Sequence, residues 1–258
     1  MKKKLIRVGL VLVVLLILGV VAAAFFLGSI VTKGVNTVGP TITKVETKLD
    51  GASISMLSGK GELKGLFLGN PEGFKTPSAI KVCSVSMAIK AGSSLSAEIV
   101  IHSINVQAPQ ITFEGSLSGN NLSKILESIQ ACAAGATSSA ESAKKTGTDG
   151  GKKIQVDDFE ITGGKINLSM TMLGGKALTV PLPNIHLKNL GTDSSGITPA
   201  ELAEKVFKEL SPGATKAATE AVANLGKGAT DAVKNVGKST GATLEKTTKG
   251  IGDMFKKK

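Results

Sequence analysis

Residues 79–114 read AIKVCSVSMAIKAGSSLSAEIVIHSINVQAPQITFE, and the pattern running through them has a period of two. Cys83, Val85, Met87 and Ile89 fall on one side of an extended chain. Ile99 and Ile101 continue the alternation, and Ile104 and Val106 take it up one residue out of phase, as a β-bulge makes it do. Beyond Pro109 come Ile111 and Phe113. The pattern extends both ways. Upstream, Val45, Thr47 and Leu49 alternate with Lys44, Glu46 and Lys48, one face inward and one to water. Downstream, Ile154 and Val156, Phe159 and Ile161, Ile166 to Met172, Leu178 to Leu182, and Ile185 and Leu187 form further runs. Gly163-Gly164 and Gly174-Gly175 separate some of these at hairpin spacing. The expected fold is mainly β with some α: about nine or ten short, antiparallel strands with regular turns, which suits a sandwich, a barrel or a long curved sheet.

Two helices interrupt the strands. Asn120 or Asn121 caps the first, and Leu122, Ile125, Leu126 and Ile129 follow at helical spacing. From Ala133 to Gly151 the chain is small, polar and aperiodic and reads as a flexible linker or loop. The second helix starts at Thr198-Pro199-Ala200-Glu201, where Thr caps, Pro takes the first position and Glu complements the dipole. Its Leu202, Val206 and Leu210 make one apolar stripe that docks on the sheet.

The N-terminus is of another kind. Val8 to Leu27, VGLVLVVLLILGVVAAAFFL, is 20 residues without a charge. A helix of that length spans about 30 Å, the thickness of a bilayer's hydrocarbon core. Lys2, Lys3, Lys4 and Arg7 flank it on the N-terminal side only, which puts the N-terminus in the cytoplasm. Val8, Val11, Leu15, Leu18, Phe25 and Phe26 are the anchoring residues of this transmembrane reading, and Gly28 to Pro40 is a short exit segment. A cleaved signal peptide is the alternative, with Ala22-Ala23-Ala24 as its small-residue site. Against it, the apolar run exceeds the roughly 7–15 residues of a signal core and continues through Phe25-Phe26-Leu27.

The C-terminus carries an 11-residue repeat. Ala221-Val222-Ala223-Asn224-Leu225-Gly226-Lys227 returns as Ala232-Val233-Lys234-Asn235-Val236-Gly237-Lys238. Eleven residues make close to three α-turns, so Val222, Val233, Leu244 and Phe255 keep to one face, joined by Leu225, Val236 and Ile251. Lys216, Lys227, Lys238 and Lys249 share one repeat position. This is an amphipathic helical tail whose apolar face suits lipid and whose lysines suit an anionic membrane; a solubilising disordered tail is the alternative, because its glycines each cost a helix about 1 kcal/mol.

The distribution of charge excludes one class of partner. Of the net +11, the first seven residues hold +4, the tail from Ala214 holds nine lysines against four carboxylates (+5), and everything between holds only +2. A nucleic-acid module carries its charge on the folded domain, with Arg or stacking aromatics. Here Arg7 is the only arginine and there is no Trp or Tyr. No nucleic acid is expected. No catalytic constellation stands out either. His102 and His186, the two histidines, sit in apolar strands with no carboxylate or Cys at ligand spacing. Asp157, Asp158 and Glu160 alternate faces as a solvated strand edge. Cys83 and Cys132 read as two small buried side chains, with pairing left open, and neither has metal spacing. The expectation is a non-enzyme without cofactor or metal.

One segment resembles a known family. In residues 59–114, Gly61, Leu63, Gly65 and Leu68 lead into Asn70-Pro71-Glu72-Gly73-Phe74; Ser94-Leu95-Ser96, Ile99, Ile101, Ile104, Pro109, Ile111 and Glu114 follow. That order is similar to the N-terminal module of AsmA-family proteins, and KKIQVDDFEITGGKINLSM (152–170) resembles the family's later repeat element. Ser94-Leu95-Ser96 is shorter than the family's element there. The resemblance implies a protein of the bacterial inner membrane, single-pass, with the bulk of the chain periplasmic. It implies an antiparallel curved sheet whose apolar inner face accepts acyl chains, partners among membrane lipids and other envelope proteins, and a part in envelope lipid handling or membrane integrity. Ten strands at about 4.8 Å make roughly 48 Å of sheet, a short conduit segment. A structural or stress-protective envelope protein with no lipid ligand is the alternative. The organisation expected is anchor (1–30), AsmA-like β module with one helix (39–132), linker or loop (133–151), second strand set with docking helix (152–210) and basic repeat tail (211–258).

Overall fold

Pro109 offers no N–H and Ala108 stands at φ 49°, so a ladder running past them must break. In the computed structural model it breaks without turning back. The structure describes residues 26–55, 58–93, 96, 98–116, 119–143, 153–169, 178–192 and 196–224. Strands β4 (Glu98–Gln107) and β5 (Gln110–Ser116) follow one another along β3 (Ile80–Ile89) in a single register, Val85 facing Val106 and Ile80 facing Ile111. The same holds next door. β7 (Lys153–Thr162) and β8 (Lys165–Ser169) lie beside β4 and β5 with one offset, Val106 opposite Ile161 and Ile111 opposite Ile166. β9 (Leu178–Pro181) and β10 (Ile185–Leu190) return along them, Val180 facing Ile166 and Ile185 facing Ile161. With β1 (Thr47–Ser55) and β2 (Lys60–Leu68), the described residues make six long runs side by side in chain order; the two-residue β6 (Gly119–Asn120) pairs with the end of β5.

The breaks fall in one row. Ala108, Gly163 (φ 63°) and Pro183 mark it in three runs, and the register carries it on through Cys83, Gly65 (φ 65°) and Asp50. On either side of it the inward residues change parity: Val82 and Val85 are both buried, as are Val106 and Pro109, and Ile161 and Gly164. Each such bulge bends its strand and adds twist. A row of them across the sheet accounts for its curled, half-barrel form.

Several expectations change here. Two pairings are parallel, β4 with β7 and β5 with β8, because the helix α2 (Asn121–Ala143) carries the chain across before β7 begins. Gly163-Gly164 is a kink within a run and makes no hairpin; Gly174-Gly175 lie outside the described residues. Cys83 falls in the row of breaks and is exposed, not inward with Val85, while Cys132 is half-buried; both thiols are free. The phase slip expected between Ile101 and Ile104 is present, and the facing strand shifts register between Ala88 and Ile89.

Asn120 caps α2, its Oδ1 accepting the Ser123 N–H at 2.9 Å, and Leu122, Ile125 and Ile129 are fully buried. The helix runs ten residues past the expected end at Ala133, through a stretch whose alanines are strong helix formers. A third helix, α3 (residues 199–224), opens on a capping box: Glu201 accepts the Thr198 N–H at 2.6 Å, and the Thr198 hydroxyl accepts the Glu201 N–H at 3.2 Å. It continues past Ser211-Pro212-Gly213, where burial of Leu210, Ser211 and Ala214 offsets the hydrogen bond that Pro212 forfeits. The exit segment is itself helical: α1 (residues 26–43) lies beside β1. Among the described residues no helix is long and apolar enough to cross a membrane, and the run Val8–Leu27 lies outside them except for Phe26 and Leu27.

Candidate functional site

The inner face of the sheet is apolar on both sides of the row of breaks, and α3 does not fill it. Leu63 and Leu66 of β2, Val85 and Met87 of β3, Val106 of β4 and Ile161 of β7 line one wall of a cleft. Ala203, Val206, Phe207 and Leu210 of α3 form the other. Phe207 and Leu210 are buried, whereas Leu63, Leu66, Met87, Ala203 and Val206 are only half-buried. The space measures about 260 Å³, just under the roughly 300–1,000 Å³ of small-molecule sites. Among the described residues every lining side chain is apolar. Water there finds no partners, so an apolar chain or ring is the occupant such a wall favours. Among the described residues the lining supplies no acid, base or nucleophile.

The outer face carries the polar groups that sequence spacing did not join. A second phase slip places Val156 and Phe159 inward, so both Asp157 and Asp158 lie on the outer side. There the His102 Nδ1 lies 2.9 Å from Asp157 and the His186 Nε2 lies 2.6 Å from Asp158. The acidic residues thus do not alternate faces, and each histidine has a carboxylate that arrives from a neighbouring strand. The His102 ring, followed by the Gln155 amide, holds the Asp157 carboxyl below its ordinary range. All four side chains are well exposed, and among the described residues no group of three or more His, Cys, Asp or Glu is arranged to hold a metal. The signal was available in principle: Ile101→Ile104 and Val156→Phe159 are the same slip at matched positions of adjacent strands.

The Asn70-Pro71-Glu72-Gly73-Phe74 turn proves to be part of a latch. The Asn70 amide donates to the Thr76 carbonyl at 2.7 Å, and Glu114 on β5 accepts the N–H groups of Lys75 and Thr76 at 2.6 and 2.7 Å. The fully buried Asn121 side chain donates to Asn70 and to the Thr112 carbonyl and accepts the Glu114 N–H, which ties the latch to the start of α2.

Of the expected anchor residues, Phe26 is exposed on α1, and Val8, Val11, Leu15, Leu18 and Phe25 lie outside the described residues. Of the tail, Lys216 is exposed and Val222 half-buried on α3; Leu225, Lys227, Val233, Val236, Lys238, Leu244, Lys249, Ile251 and Phe255 lie outside. Comparison with protein-family models, with curated proteins and with solved structures found no match to this chain.

Proposed function

We propose that this chain is a membrane-anchored, non-catalytic protein of the AsmA-like envelope type, held in a bacterial inner membrane with its sheet on the periplasmic side. Its apolar cleft takes an acyl chain of a membrane lipid, and the basic repeat tail meets anionic headgroups. The observation that carries the reading is the cleft between α3 and the curled sheet, lined throughout by apolar side chains. An uncharged 20-residue run at the N-terminus supports delivery to a bilayer.

The test is photo-crosslinking of the full chain in vesicles that contain a phospholipid with a photoactivatable acyl chain, with the modified peptides mapped by mass spectrometry. Labelling is expected on residues 199–210 and on β2 or β3, and Val206→Trp, which fills the cleft, should reduce it at least fivefold. Labelling confined to the N-terminal run would leave a structural envelope protein without a lipid ligand as the better reading.

A further inference from the structure

The helix α1 is fitted along β1 as though it were one more strand. Gly28 sits against Ala52 so closely that a Cβ there would lie 2.1 Å from the Ala52 carbonyl oxygen. The Asn36 carboxamide accepts the Leu49 N–H at 2.6 Å and donates to the Leu49 carbonyl at 3.2 Å, as a paired peptide group would. Gly39 abuts Thr47, with 2.6 Å from Cγ2 to the place a Cβ would take. From Gly28 to Gly39 the helix rises about 16.5 Å at 1.5 Å per residue. From Ala52 to Thr47 the strand covers about 16.5 Å at 3.3 Å per residue. Equal travel over these contacts means that the helix axis runs along the strand, in the opposite direction.

The first described turns of α1 therefore lie toward the end of the sheet where β1 turns into β2 and β3 turns into β4, abreast of Ala52 and about 10 Å short of Ser55. On their far side, opposite Gly28 and Gly39, Phe26 is 68% exposed and Ile30 50% exposed. The apolar run from Val8 ends on those same turns. Lys60 and Lys90 are exposed and Lys153 half-exposed at this end of the sheet, with Glu98 set opposite Lys153; Lys33 is exposed farther along α1, abreast of Asp50.

We propose that α1 is a rigid stem that presents this end of the sheet to an anionic bilayer surface. Phe26 and Ile30 enter the interface, the lysines meet lipid phosphates, and the strands stand along the membrane normal. The proposal rests on the anchor reading given above and adds an orientation to it. Val38, 48% exposed on a flank of the helix, stands about 18 Å farther along the axis than Phe26 and is held clear of the lipid.

The chain has no Trp, so an introduced one is the sole reporter of its kind. Phe26→Trp, Ile30→Trp and Val38→Trp variants of the full chain are placed in phosphatidylglycerol vesicles with brominated acyl chains. At least twofold quenching is expected at positions 26 and 30, and little at 38. Acetylation of Lys60 and Lys90 by a water-soluble reagent should slow at least threefold in phosphatidylglycerol relative to phosphatidylcholine vesicles, while that of Lys75 at the opposite end should not. Equal quenching at all three positions means a helix lying flat and overturns the stem. Absent quenching at 26 and 30 in protein that still floats with the vesicles overturns the stem and leaves the anchor standing, and crosslinks between copies through position 30 would then identify a second chain as what covers the stripe. Protein that does not float removes the anchor and the stem together.

Discussion

Glu114 shows how much a single carboxylate can join. Partial burial alone would raise its pKa; the Thr76 hydroxyl, the N–H groups of Lys75 and Thr76 and the charge of Lys75 outweigh that, and the carboxyl is held below its ordinary value. A group whose pKa is depressed by folding adds stability above its unfolded pKa, and that contribution disappears as pH falls through the folded value. Glu114→Gln should therefore destabilise the protein at pH 7 by about 1 kcal/mol, solvent screening included. The gap between variant and wild type in urea denaturation should close as the pH is taken below the ordinary glutamate range. A gap that persists unchanged in acid would mean that the carboxylate's charge is not what holds the loop. In the sequence, the motif around Asn70 is legible as a turn because Pro and Gly fix its backbone. That its loop is closed by a residue 38 positions later is not, since a side chain reaching for backbone N–H groups leaves no periodic trace.

Elements were legible in proportion to their apolar period. Ile125 and Ile129 give α2 away because that helix buries a stripe of large side chains, and Val206, half-buried, and Leu210, buried, do the same for α3. The helix α1 leaves no such mark in the exit segment, because the side it sets against β1 is Gly28, Asn36 and Gly39, which carry no hydrophobic signal. What the sheet needs at that edge is close approach and a pair of hydrogen bonds, not apolar area. The parallel pairing of β4 with β7 was equally hidden, because inward residues alternate alike in either direction. Asn36→Ala should leave the Leu49 N–H and carbonyl without their partner and cost about 1 kcal/mol, discounted because the carboxamide is partly wet. Hydrogen exchange at the Leu49 amide should quicken more than at Leu66 in the next strand. If the two amides respond alike, α1 does not guard the edge.

At the scale of the molecule, curvature is what makes a cleft, and curvature comes from the row of breaks. A flat sheet under α3 would be packed by it; a sheet creased between Val82 and Val85 and between Val106 and Pro109 brings half-buried Leu63, Leu66 and Met87 around toward the helix and leaves a gap. Gly65 is the position in that row least able to accept change. Its φ is 65°, and a Cβ would fall 1.9 Å from the Asp50 carboxylate. A β-branched side chain there pays about 1–2 kcal/mol for the left-handed backbone and must also push Asp50 aside, so Gly65→Val should cost roughly 3 kcal/mol or more. Gly51, one place beyond Asp50 in β1, has ordinary φ and open space where a Cβ would go, so Gly51→Ala should stay within about 0.5 kcal/mol of wild type. Urea denaturation of the two variants decides the matter. If Gly65→Val proves as stable as Gly51→Ala, the crease is not fixed by its backbone, and the curl, with the cleft it encloses, must be held by the helices on the inner face instead.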